Sequence, residues 1–223
     1  MANASFTRDE VILTLDVLYS SENDKLSPSS KIIAELSDTL RKLPIHPEGK
    51  RPENFRNCVG ISHQIERFRK GYSESSDVWN VGSTFYQVAA EYKDRRDVLH
   101  ETALAIRRNI PYYSIIPFGA TLESDGFPEG ALLAHLHRII EKRDGQKVPL
   151  SDRCDVCQLQ PEKIYNQCGF LLEHHLIVPP VAMNGKKTYS KEDFITVCPN
   201  CHAALHRHRP WLNKENCAEL LRN

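Results

Sequence analysis

The chain has 223 residues, its 29 Lys+Arg balance 29 Asp+Glu, and 40% of it is hydrophobic and 26% charged. That mixture excludes wholesale disorder and fits a globular protein of one large or two small domains. The start, MANASFTRDE, lacks the pattern of a secretory signal, and no apolar run approaches the roughly 20 residues of a membrane helix, so a cytoplasmic protein without a membrane span is expected.

Thr7-Arg8-Asp9-Glu10 has capping-box spacing with Thr7 as N-cap, and it opens the apolar stretch VILTLDVLY, which predicts a first helix. Residues 20–30 are mostly polar, contain Pro28, and read as a loop. KIIAELSDTLRKL follows with helical periodicity and stops before Pro44. Residues 44–54, PIHPEGKRPEN, form a turn-rich connection, and FRNCVGISHQIERFRK over 55–70 predicts a helix interrupted near Gly60. VWNVGSTFYQVAAEY and DRRDVLHETALAIRRN complete a mainly α-helical domain over 1–110. Residues 111–129 are rich in Pro and Gly and read as a linker. In 130–223 a helix, ALLAHLHRIIEKR, precedes two short strands in LLEHHLIV and DFITV and a helix in HAALHRHR. The expected fold class is therefore α+β, with a helical N-terminal domain and a small mixed C-terminal one.

The cysteines and histidines carry the chemistry. Four of seven Cys form two Cys-x-x-Cys pairs, Cys154/Cys157 in DRCDVCQ and Cys198/Cys201 in VCPNCH. In an intracellular setting such pairs read as a metal site before they read as disulfides or redox dithiols. Four thiolates at this spacing can close tetrahedrally around Zn²⁺. Cys58, Cys168 and Cys217 are left as inert thiols. Seven of the ten His fall after residue 130. His202 and His206 are spaced i, i+4, so on a helix they share one face and can grip one ion. His174 and His175 are adjacent on a predicted strand and project to different sides, which allows them different jobs. His208 lies off the helix face and reads as a surface residue, and Glu173 beside the His pair as a solvated acid.

A Cys-x-x-Cys, a strand bearing His-His before a Pro, and then Cys-Pro-x-Cys-His-x-x-x-His together resemble the HNH nucleases. More narrowly, residues 130–209 resemble the McrA-like HNH restriction endonucleases, whose ββα-metal core is stapled by a Cys₄ zinc. FTRDEVILTLDVLY and FRNCVGI are similar, more loosely, to a domain found ahead of such modules. The resemblance implies a metal-dependent DNA endonuclease that hydrolyses phosphodiester bonds, restricting DNA with modified cytosine. HNH action on unmodified or mobile DNA, and a non-catalytic zinc-stabilised DNA-binding module, are the alternatives. It further implies that His174, His202 and His206 hold the catalytic ion and that His175 is the general base. Asp193 stands nine positions before His202, where the family usually has Asn, and would either orient His175 or approach the ion.

A neutral imidazole can accept a proton from water at cellular pH, and a carboxylate on its other nitrogen would fix the tautomer. Three imidazoles suit Mn²⁺, Ni²⁺, Co²⁺ or Zn²⁺ better than Mg²⁺. Residues 130–223 carry 13 Lys+Arg against 10 Asp+Glu, too slight an excess to bind double-stranded DNA tightly alone. The N-terminal domain is therefore the expected reader, with Arg56, Arg67, Arg69 and Lys70 as phosphate contacts and Tyr72 and Trp79 among aromatics able to stack on a flipped base. Against that stands the plainer reading of core aromatics and a solvated charged face. One HNH site cuts one strand, so a homodimer would supply the second cut.

Overall fold

A computed structural model describes residues 4–21, 26–73, 84–113, 130–166, 171–185 and 188–221, with backbone alone for 70–73. Trp79, Cys168 and residues 114–129 of the expected linker lie outside the described residues, as do the side chains of Lys70 and Tyr72. The chain divides into two compact units, Met1–Leu122 and Glu123–Asn223.

The first unit is helical and is built around α1 (Arg8–Ser20). Thr7 caps α1 through the reciprocal Thr7–Glu10 capping box that the sequence predicts. Every residue from Asp9 to Leu18 is buried, so α1 is a central helix rather than an amphipathic surface one. It packs against α2 (Lys31–Lys42), α4 (Thr84–Glu91) and α5 (Arg96–Arg108), and α2 packs on α3 (Cys58–Ser73). The interruption expected near Gly60 does not occur. Asn57 ends the preceding turn, and its side chain accepts the Gly60 N–H at 2.8 Å, so Gly60 belongs to the capped first turn of α3. A short helix, α6 (Ile110–Tyr113), extends into the segment expected as linker.

Burying α1 all round places its acids inside, and each described one has a partner. Asp16 meets His100 at 2.7 Å and Arg107 at 2.6 Å. Glu10 meets Arg56, whose Nε donates to Oε1 at 2.6 Å and whose Nη2 donates to Oε2 at 2.9 Å. The same guanidinium donates to the carbonyls of Ala4 and Ser5 and lies over the rings of Phe6 and Phe55. Arg56 is only 3% exposed and holds a positive φ of 46°. Outside glycine that conformation is uncommon, and here the five-way anchoring of the guanidinium over-determines it.

The second unit begins with α7 (Ala131–Gly145), followed by a short helix, α8 (Pro161–Ile164), an antiparallel pair β1 (Glu173–Leu176) and β2 (Phe194–Val197), and α9 (Pro199–Arg207). The register sets His174 opposite Thr196 and His175 opposite Ile195. Both α7 and α9 pack on β1, and all four residues of β2 are buried, Thr196 included. The core here is small and is built in part from the cysteines: Cys154, Cys198, Cys201 and Cys217 cluster with Val156, Leu172, Ile195, Val197, Leu205 and Leu212. No helix among the described residues is long and apolar enough to cross a membrane.

Candidate metal centres

Cys154 and Cys157 sit on a tight loop closed by Gln158 N–H to Cys154 O and by Cys154 N–H to Leu159 O, each at 2.9 Å. Gln158 takes a positive φ of 61° to complete that turn, and the Cys157 N–H points at Cys154 Sγ at 3.5 Å. Cys198 caps α9, Pro199 opens its first turn, and Cys201 follows within that turn. Asp155 stitches the two halves together, since its N–H donates to Thr196 O and its carboxylate accepts the Thr196 N–H. The four sulfurs converge within 4.8 Å of one another, with Cys157 and Cys198 Sγ 3.8 Å apart. Burial, reinforced by the neighbouring sulfurs, pushes the Cys201 thiol well above the ordinary thiol range. Four sulfurs this close inside a core are the donor set of a closed tetrahedral metal site, where a cation removes the mutual repulsion of the thiolates.

A second donor set lies on α7, β1 and α9. Donor atoms of Glu141, His175, His202 and His206 all fall within 4.8 Å of one another. Glu141 Oε1 is 3.2 Å from His175 Nδ1 and 3.4 Å from His202 Nε2, and Oε2 is 3.4 Å from His206 Nε2. His202 and His206, one turn apart on α9, bring their Nε2 atoms to 2.9 Å. His175 Nδ1 is buried and, despite its distance to Glu141, is not aligned for a hydrogen bond. The Glu173 carboxylate reaches His202 Nδ1 at 2.6 Å, and Leu176 N–H donates to Glu141 Oε1 at 3.0 Å. Trp211 stacks on His175, with ring centroids 5.6 Å apart, and its indole N–H is tied to Ile177 O.

The electrostatics follow from burial set against the carboxylates. Burial pushes His175 down to about 4 against the pull of Glu141, and burial likewise lowers His206. Burial works against charge on His202 too, but Glu141 and Glu173 outweigh it and hold its pKa above the ordinary imidazole value. Burial alone would raise Glu141, yet His137, His175 and His202 hold its carboxyl well below the usual range. The set therefore offers a carboxylate and, on His175 and His206, imidazoles that are neutral at neutral pH, the protonation state that metal ligation requires.

The structure reverses the expected places of the two adjacent histidines. His175, not His174, joins His202 and His206, because strand alternation puts Glu173 and His175 on the face of β1 that meets these helices. His174 lies against Phe194 and beside Gly145, where a Cβ would come within 3.0 Å of the His174 Cβ. A glycine at the end of α7 is what lets β1 approach so closely. Burial lowers the His174 pKa, and its Nε2 has no hydrogen-bond partner among the described residues. Asp193 does not orient His175. Its carboxylate accepts the Ser190 N–H at 2.9 Å in a capping box, and Glu141 holds the place beside His175 instead.

Glu141 is the residue the sequence reading misses. Its signal was available: His137 and Glu141 are spaced i, i+4 in ALLAHLHRIIEKR, the cue that picks out His202 and His206. Among the expected DNA contacts, Arg56 is ruled out as a surface residue because its guanidinium is spent on Glu10 inside the core. Arg67 is exposed, while Arg69 is half-buried and donates to Ser21 O at 3.4 Å. No protein-family model, curated protein or solved structure matches this chain.

Proposed function

We propose that the chain is a metal-dependent DNA endonuclease that hydrolyses phosphodiester bonds, with structural Zn²⁺ on the four cysteines and a divalent ion on the Glu141–His175–His202–His206 set. The observation that carries this reading is the convergence of that second set beside the Cys₄ site, one strand and two helices presenting donors to a common point. The motif order resembles that of the HNH endonucleases and supports phosphodiester DNA as the substrate. A divalent ion there would polarise a phosphoryl oxygen and activate a water. Glu141 and the three imidazoles hold that ion, Leu176 N–H fixes Glu141, and Trp211 stacks on His175. With His175 committed as a donor and His174 on the far face of β1, the expected imidazole base is not beside the set. Glu173, half-exposed at its rim, meets His202 Nδ1 at 2.6 Å.

One observation favours a second reading, a zinc-stabilised DNA-binding module without catalysis. Four protein donors would fill the shell of a tetrahedral Zn²⁺ and leave no position for substrate, whereas an ion that takes six ligands keeps positions open. Activity is therefore expected with Mn²⁺ in the second site and not with Zn²⁺ there. The test is cleavage of matched plasmids, unmodified and cytosine-modified, by the zinc-loaded chain with added Mn²⁺. Cutting confined to modified plasmid supports a modification-dependent restriction enzyme with the N-terminal unit as reader. Equal cutting of both keeps the nuclease and discards the modification requirement. No cutting of either, with two zinc ions bound per chain, moves the assignment to the binding module.

A further inference from the structure

We infer that Glu173 is a positioning residue that sets the tautomer and aim of His202 toward the second metal site; this rests on the proposal that the Glu141–His175–His202–His206 set binds a divalent ion. The Glu173 carboxylate lies 2.6 Å from His202 Nδ1, and a carboxylate can only accept, so Nδ1 is the ring nitrogen that keeps its proton. The lone pair of that ring is then on Nε2, the atom that faces Glu141 Oε1 at 3.4 Å and His206 Nε2 at 2.9 Å. Both atoms that matter are placed by the fold. Alternation along β1 brings Glu173 to the same face as His175, and α9 presents His202 one turn ahead of His206. Without an acceptor at Nδ1 the neutral ring would divide its proton between the two nitrogens, and Nε2 would be unavailable as a donor in part of the population. A carboxylate in this position also raises the basicity of the ligating nitrogen.

Glu173 suits a clean test. Its side chain is 48% exposed, and His202 is its hydrogen-bond partner, so its removal leaves the packed core intact. The full-length chain, zinc-loaded at the cysteines, is titrated with Mn²⁺ by calorimetry in wild-type, Glu173→Ala and Glu173→Gln forms. In parallel, imidazole ¹⁵N NMR, at a pH above the titration of His202, reads its tautomer before Mn²⁺ is added. Glu173→Ala is expected to weaken Mn²⁺ binding by about 10–100-fold and to shift His202 from the Nδ1–H form to a mixture, at unchanged melting temperature. Glu173→Gln, which keeps a neutral acceptor, is expected to retain the Nδ1–H form and lose less affinity. Wild-type-like affinity and tautomer in Glu173→Ala would overturn the positioning role while leaving the metal site standing. Absence of Mn²⁺ binding in the wild type would overturn both it and the metal-site reading.

Discussion

Arg56 is basic, follows a Pro-rich stretch and reads from sequence as a DNA contact, yet it is among the most buried polar residues of the first unit. Its value to the molecule is structural: removing one partner of a buried, hydrogen-bonded ion pair leaves the other charge uncompensated. Burial works against ionisation of Glu10, but hydrogen bonds from His46 and Arg56 prevail and hold its pKa below the ordinary 4.5. A carboxyl depressed in the folded state contributes stability that is present above its unfolded pKa and is lost as pH falls through the folded value. Glu10→Gln is therefore expected to cost about 3 kcal/mol at pH 7, and that cost should shrink as pH falls below about 4.5. Scanning calorimetry of the full chain checks this on the transition of the first unit. A gap between wild type and variant that is the same at pH 7 and pH 4 would show that the charge of Glu10 contributes nothing. At this scale residue type was legible and environment was not. The histidines are visible as potential ligands, but whether His174 or His175 faces α9 depends on which side of β1 the helices cover.

Elements were more legible than residues. The Thr7 capping box, the end of α2 before Pro44, both strands and α9 stand where pattern and punctuation put them. Failures came where a local cue had a tertiary cause. A Cβ at Gly60 would come to 3.0 Å from the Asn57 Oδ1 that caps this turn, and the helix runs on through the glycine. Asp193 caps its own turn, a short-range bond that wins over the longer reach to His175. The Cys₄ site is the element on which the second unit depends, since three of its four sulfurs lie in that unit's hydrophobic cluster. Cys154→Ser is expected to release zinc and unfold that unit, measured by zinc content and loss of near-ultraviolet circular dichroism around Trp211. Wild-type zinc content with wild-type melting would remove the cysteines from the structural role given them here.

For the whole molecule, the two units differ in what holds them. The first has a central helix buried from Asp9 to Leu18 and an internal ion-pair network, with no metal donor set among its described residues. The second has a two-stranded sheet and a small core that incorporates its cysteines. A strong chelator is therefore expected to abolish the transition of the second unit while the helical signal of α1 to α5 and the amide protection of α1 persist. Loss of both units together would show that the first unit depends on metal. In DNA cleavage a single site acts on one strand at a time, so nicked circles should precede linear product. Linear product without a nicked intermediate would instead mean that two sites act together, as in a dimer.

Sequence by itself determined the donor types, their pairing and the elements that carry them. Cys-x-x-Cys loops, an i, i+4 His pair and a His-His strand are local patterns, set by bond geometry and helical or strand periodicity. Only the tertiary structure decided which donors meet. Glu141 lies 34 residues before His175 and 61 before His202, and no local rule connects residues so far apart. Packing of α7 against β1, with Gly145 permitting the close approach, brings this carboxylate into the histidines and turns His174 away. The physical reason is that coordination is a condition on distances in space, while the signals in a chain are conditions on separations along it.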